Sequence, residues 1–346
     1  MRLLLSLLLA LAQASPEAEV LWQRGERLAA LERMAGELAQ RPQDASLRTL
    51  LVLRELETER FRAALEHSQG LPDEALGLRG RALYYLARYD AALTHLRLDD
   101  ERELLMRAEA LRALGRFEAL DALLPRLREV LGAGRPEVLL LEARQALRRG
   151  ELERAVELLS GVLAVRPLES EALFGLGRAL LRLGRRAEGL ALLERHRLLT
   201  PRLDELDFAR RGVLLAPRGA ANQAALGEAW DALVPFDAAA ADEARAAFEL
   251  ALELAQEAEL PPIALRCARH WRETRADGAR AIEVLEAALA RRDDVRLRVR
   301  AADYLVERDL GPRALGHLRR ALELRPGDRA ILERIAALES PEERDR

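Results

Sequence analysis

Two prolines, Pro167 and Pro201, stand 34 residues apart, and each closes a stretch with the same internal layout. Residues 136–167 and 170–201 both open with apolar side chains at helical spacing. Each then reaches a glycine, Gly150 or Gly184, and resumes an apolar-periodic run up to its proline. The layout predicts helix, tight turn, helix. The glycine ends the first helix because a residue without Cβ takes the left-handed conformation at little cost, and the proline ends the second because its ring blocks further turns. A unit this short cannot bury its own apolar face, so such a chain folds by stacking copies on one another.

The sharpest copy reads Leu173-x2-Leu176-Gly177-x2-Leu180, then Gly189-x3-Leu193, then Pro201. The copy before it keeps Leu139, Ala143, Ala155, Leu159 and Pro167, with Glu142 where a leucine is expected. Ala302, Leu305, Ala314, Leu318, Ala321 and Pro326 repeat the pattern near the C-terminus. Three copies lack the proline: Leu76, Gly80 and Leu83 with Tyr89, Ala92 and Leu96; Leu104, Ala108 and Leu111 with Gly115, Phe117 and Leu124; and Leu226, Gly227 and Trp230 with Ala244, Phe248 and Ala251. Residues 45–71, with Phe61 and Ala64, and residues 262–293, with Ala281 and Leu285, are degenerate copies, which brings the count to eight hairpins. Gly80, Ala108, Ala143, Gly177 and Gly227 leave room for the second helix to approach the first. In these residues the sequence resembles the tetratricopeptide repeat family. The resemblance implies an all-α, right-handed superhelical solenoid of helical hairpins, whose concave groove, lined by the first helices, holds a protein or peptide partner.

Composition agrees with helix. Half of the residues are apolar, with leucine and alanine dominant and only 4% aromatic, so almost no sheet is expected. All 55 basic residues are arginine, which points to a GC-biased coding sequence before any function. A formal net charge of −3 supplies no global field toward nucleic acid or anionic membrane. Arg2, the apolar run Leu3 to Ala12 and the small-residue site Ala12-Gln13-Ala14 read as a signal peptide over residues 1–14, so the chain is expected to be exported, periplasmic or secreted, after cleavage near Ala14. Neither that run nor any later one reaches the roughly 20 apolar residues of a membrane-spanning helix, so no stable membrane insertion is expected.

The expected organisation is a solenoid over 15–201, an irregular helical segment over 202–261 with one degenerate hairpin, further hairpins and a capping helix over 262–338, and a charged tail over 339–346. Glu17 to Gln40 reads as one long amphipathic helix with Leu21, Leu28, Leu31, Met34 and Leu38 on its apolar stripe. Leu203 to Leu215 reads as a single unpaired helix between Pro201 and Pro217, and Ile331, Ile335 and Leu338 mark the apolar face of the cap.

Chemistry is hard to find. No phosphate loop, His-Glu-x-x-His or nucleophile elbow is present. Cys267, the sole cysteine, forms with His270 the one pair at metal-ligand spacing, and two ligands fall short of the four zinc normally takes; a buried thiol beside a surface histidine is the plainer reading. Asp99-Asp100 and Asp293-Asp294 fall at turns, where capping explains them. No metal, cofactor or catalytic residue is assigned. Asp204, Asp207, Asp237 and Asp242 are the candidates if an enzyme site lies in 202–261.

With the hairpins in register, Arg81, Arg144 and Arg178 take equivalent places on first helices, with Arg148 and Arg182 one turn further on. The groove implied by the resemblance would present these guanidiniums to carboxylates of an acidic or C-terminal peptide, with Tyr84, Tyr85 and Phe174 as apolar anchors. The alternative is a solvated helix face on which they pair with Glu137, Glu142 and Glu171. The family's carboxylate clamp uses lysine and asparagine; this chain has no lysine and only Asn222. The expected function is an exported, non-enzymatic interaction scaffold or adaptor for a protein or peptide, not for nucleic acid. An accessory subunit of an envelope enzyme or secretion assembly, or an enzyme with a site in 202–261, stands as the alternative, and self-association is left open.

Overall fold

Leucine and alanine at helical spacing fold as their propensities dictate. The computed structural model describes residues 15–339 and places them in nineteen α-helices, with no strand among the described residues. The signal-peptide reading of residues 1–14 and the tail beyond Glu339 lie outside the described residues.

The chain divides between Thr200 and Pro201 into two units. The first contains the hairpins α1 (Pro16–Gln23) with α2 (Arg27–Gln40), α3 (Ala45–Glu57) with α4 (Phe61–His67), and α5 (Leu76–Tyr85) with α6 (Tyr89–Leu93). It continues with α7 (Glu101–Ala113) and α8 (Phe117–Leu131), α9 (Pro136–Arg149) and α10 (Leu152–Val165), then α11 (Ser170–Arg182) with the start of α12 (Arg186–Leu215). The second unit holds the rest of α12, then α13 (Ala220–Asp231) with α14 (Ala240–Leu254), and α15 (Leu260–Arg269) with α16 (Gly278–Arg291). α17 (Val295–Val306) with α18 (Gly311–Leu324) follows, and α19 (Arg329–Glu339) is last.

Each unit is held by seams between neighbouring helices. In the first unit the core is a row of small clusters; one joins Leu104, Ala108 and Leu111 of α7 to Leu120, Leu124 and Leu127 of α8 and to Leu141 of α9. Each fully buried leucine contributes about 1.5–3 kcal/mol. In the second unit a single apolar cluster runs from Ala220 to Ile331. Small residues set the helix spacing. A Cβ on Gly177 would lie 2.9 Å from Leu193 Cγ, and one on Gly227 would lie 2.9 Å from the Phe248 ring. Gly150 and Gly184 end their helices at φ 80° and 81°. Asp100 and Asp294 cap α7 and α17, accepting from the amides of Glu103 and Arg296 at 2.9 and 2.8 Å.

Two sequence expectations fail. The first concerns Glu17 to Gln40, which is a hairpin and not one helix: Gly25 takes φ 82° and turns the chain between α1 and α2. Leu31, Met34 and Leu38 then pack with Ala18 across that turn, while Leu28 stays exposed. Pro201 is the second. It lies inside α12, so Leu203–Leu215 continues the preceding helix. A proline within a helix deprives the carbonyl four residues earlier of its donor. Here that residue is Arg197, exposed like Pro201. Pro167 behaves as expected, with α10 ending at Val165.

A buried ion pair ties α4 to α3. Glu55 is 3% exposed, and the Nδ1 of His67 sits 2.9 and 3.0 Å from its two oxygens. The Glu55 hydrogen bond outweighs burial and holds the His67 pKa above the ordinary histidine value. A raised folded-state pKa adds stability that is complete below the unfolded value of about 6.5 and is lost as pH rises through the folded one. Urea denaturation of wild type and His67→Gln across this window is therefore expected to show a loss of stability with rising pH that the variant lacks. Parallel profiles would contradict the assignment.

Candidate functional site

Helical periodicity puts Arg144 and Arg148 one turn apart on α9, and Phe174, Arg178 and Arg182 one turn apart on α11. The two faces meet. They line a cleft of about 320 Å³ whose apolar part is Leu140, Leu147, Leu159 and Ala179. Gly175 admits α10 here, since a Cβ on it would lie 3.2 Å from Leu159 Cδ1. Five of the eight residues singled out in the sequence thus share one cleft, formed by the first helices of consecutive hairpins. Arg81, Tyr84 and Tyr85 are not among its lining.

The arginines differ in what they already hold. Arg144 is mostly buried and pairs with Glu171 through two nitrogens and with Glu109 through a third. Burial would lower its pKa, but the two carboxylates outweigh that and hold it above the ordinary arginine value. Burial likewise opposes ionisation of Glu171, and Arg144 still holds that carboxyl below the usual range. Arg148 stacks on Phe117 at 4.4 Å, donates from Nε to Gln145 at 3.0 Å and stands 3.7 Å from Asp121. Arg178 lies over the Phe174 ring at 5.5 Å. Neither Arg178 nor Arg182 has a carboxylate partner among the described residues, and both are exposed beside Phe174, itself 42% exposed. Of the three acids named in the solvated-face alternative, Glu171 serves Arg144, whereas Glu137 pairs with Arg166 and Glu142 with Arg128.

The remaining three candidates belong to another cluster. Tyr85 stacks on Phe61 at 4.3 Å and accepts from Arg102 at 2.9 Å, and Tyr84 meets Tyr85 and Tyr89 edge-on. Burial, aided by the neighbouring Arg102, lowers the Arg81 pKa, and its Nε makes no hydrogen bond. Arg81 is partly buried.

Sequence reasoning missed the apolar floor, although Leu140 and Leu147 fall at i−4 and i+3 from Arg144, and Gly175 and Ala179 are a small-residue pair one turn apart. It also missed Glu109, 35 residues from Arg144. His270 is buried and not a surface side chain: its Nδ1 is 2.7 Å from Asp231, and the ring lies against Phe248 and Trp271. Cys267 is buried too, and burial pushes its thiol up to about 12. Among the described residues no group of three or more histidine, cysteine or acidic side chains is placed to hold a metal.

The acids of 202–261 do not converge. Asp242 pairs with Arg275, Asp207 is 3.7 Å from Arg210, and Asp237 accepts the Ala239 amide at 3.0 Å. Asp204 lines a separate hollow with Glu205 and Phe208. No described helix is long and apolar enough to cross a membrane.

The family profile of the tetratricopeptide repeat matches residues 146–206, which span α9's last turn to the middle of α12 and include most of the cleft. No curated protein matches the chain in sequence. Among solved structures, a thermophilic tetratricopeptide protein of Thermus thermophilus shares 21% identity over 59% of this chain and 98% of its own, at a TM-score of 0.33. The tetratricopeptide domain of P58(IPK) shares 16% over 95% and 97%, at 0.27. YrrB, described as having an unusual peptide-binding site, shares 14% over 61% and 96%, at 0.29. The profile lies on the two hairpins whose 34-residue period is sharpest, so residues 146–206 of this chain match the tetratricopeptide repeat.

Proposed function

We propose that the protein is an exported, non-enzymatic scaffold that holds an acidic segment of a protein partner in the cleft between α9 and α11. The observation that carries the reading is the contrast between Arg144, paired with Glu109 and Glu171, and Arg178 and Arg182, which face solvent beside Phe174 and an apolar floor with no carboxylate partner, since Glu171, the acid of the lining, is held by Arg144. Arg144 fixes α9 against its neighbours and holds the floor in place. Arg178 and Arg182 supply two forked donors suited to a carboxylate pair, and Phe174 with Leu140 and Leu147 supplies the apolar contact. Export rests on the composition of residues 1–14, and the exported compartment makes an envelope or secreted partner the natural class.

Fluorescence anisotropy with short synthetic peptides that carry paired acids and one aromatic residue, against neutral and basic controls, tests this. Arg178→Ala with Arg182→Ala is expected to weaken the acidic peptide tenfold or more, about 1.4 kcal/mol, at unchanged helical circular dichroism. Arg144→Ala should instead lower stability by about 1–3 kcal/mol, because it leaves Glu171 without its cation and Glu109 with Arg112 alone. Equal binding of all peptide classes, or binding indifferent to Arg178 and Arg182, would discard the cleft.

A further inference from the structure

The chain itself carries a segment of the kind this cleft suits. Phe208 on α12 is 79% exposed, more than any other large hydrophobic side chain described. One turn before it stand Asp204 and Glu205, both exposed and without an ion-pair partner among the described residues. Phe208 sits in an open hollow with these two acids and Glu228, and no arginine lines it. The nearby cations are turned elsewhere: Arg202 lies over Phe236 at 5.4 Å and Arg210 over Trp230 at 4.9 Å, while Glu228 has Arg266 at 3.4 Å.

We propose that Phe208, Asp204 and Glu205 of one copy dock into the α9–α11 cleft of a second copy. The proposal rests on the reading of the cleft given above, and it follows from complementarity. One surface offers two carboxylates without cation partners beside a bare aromatic ring; the other offers Arg178 and Arg182 without carboxylate partners beside an apolar floor, its own Glu171 being held by Arg144. Asp204 and Phe208 are separated by one helical turn, as are Arg178 and Arg182, so helices laid side by side present their groups at the same step of about 6 Å. Because the two patches differ, the contact is heterologous: in a dimer one copy keeps a free cleft and the other a free knob, so association can continue beyond a dimer.

Sedimentation velocity of the full purified chain over a concentration series reads this directly. Wild type is expected to show an average mass that climbs with concentration and falls as salt is added. Phe208→Asp, and separately Arg178→Glu with Arg182→Glu, should each stay monomeric with unchanged circular dichroism. An equimolar mixture of the two variants should form dimers and nothing larger, since only one intact knob and one intact cleft remain. Monomeric wild type throughout, association unaffected by Phe208→Asp, or failure of the mixture to recombine would each overturn the proposal. If wild type is monomeric yet still binds the acidic aromatic peptide, self-docking falls and the cleft stands; if the peptide fails as well, both fall.

Discussion

Phe248→Ala is expected to destabilise the second unit by about 3–5 kcal/mol, the upper part of the range for truncating a large buried side chain. Phe248 is among the largest fully buried side chains, and its ring occupies the space a Cβ on Gly227 would need. The hole left by alanine is therefore bounded on one side by a residue with no side chain to move in, and on another by His270, whose Nδ1 is held by Asp231. Little of it can collapse. Thermal denaturation should show a fall in Tm on the order of 10 °C, and Phe248→Leu should recover most of it. A loss under about 1 kcal/mol would mean that α13 and α14 close over the gap, against tight packing of the Gly227–Phe248 seam.

Gly80→Val should cost about 2–3 kcal/mol through overpacking. A Cβ on Gly80 would stand 2.9 Å from the Leu96 amide nitrogen and 3.1 Å from the His95 carbonyl carbon, so backbone must shift and not only a flexible side chain. Both contacts fall just after α6, which ends at Leu93. Gly36 and Gly316, also inside helices, have nothing within 4 Å of a built Cβ. Alanine at either should stabilise by about 0.5–1 kcal/mol through helix propensity. Opposite signs at positions chemically alike would separate close approach from propensity, and chemical denaturation of the three variants reads the difference.

Much of the architecture was legible because it rests on local rules. Gly80, Gly177 and Gly227 were read as points of close approach, and each has a partner atom about 2.9 Å from a built Cβ. What failed depended on context. Gly25 is one glycine in a Leu/Ala-rich run, and nothing local says whether such a residue ends a helix or is tolerated within it; packing of Ala18 against Leu31 and Met34 decides. Pro201 carries the repeat's closing position, yet it falls on an exposed face of α12, which runs through it.

The cleft was legible in half. The spacing of Phe174, Arg178 and Arg182 fixes a helix face, and registering the hairpins brings Arg144 and Arg148 opposite. Whether a guanidinium on that face is free depends on acids far along the chain. Glu109 comes from α7 and Glu171 from α11 to neutralise Arg144, and no property of α9 alone reveals either. Registering Arg81 with Arg144 and Arg178 also implied a common surface, whereas Arg81 is partly buried beside an aromatic cluster. Equivalent register gives equivalent direction, not equivalent surroundings.

Site-specific photocrosslinking distinguishes an α9–α11 face that binds a partner from one that is simply hydrated. A benzophenone amino acid would replace Phe174 in the cleft or, in a second protein, the exposed Glu153 on α10, and each would be irradiated with the tightest-binding acidic peptide. The account predicts a peptide adduct from position 174, abolished by Arg178→Ala with Arg182→Ala, and none from position 153. Equal adducts from both positions, or an adduct at 174 indifferent to the two arginines, would contradict it.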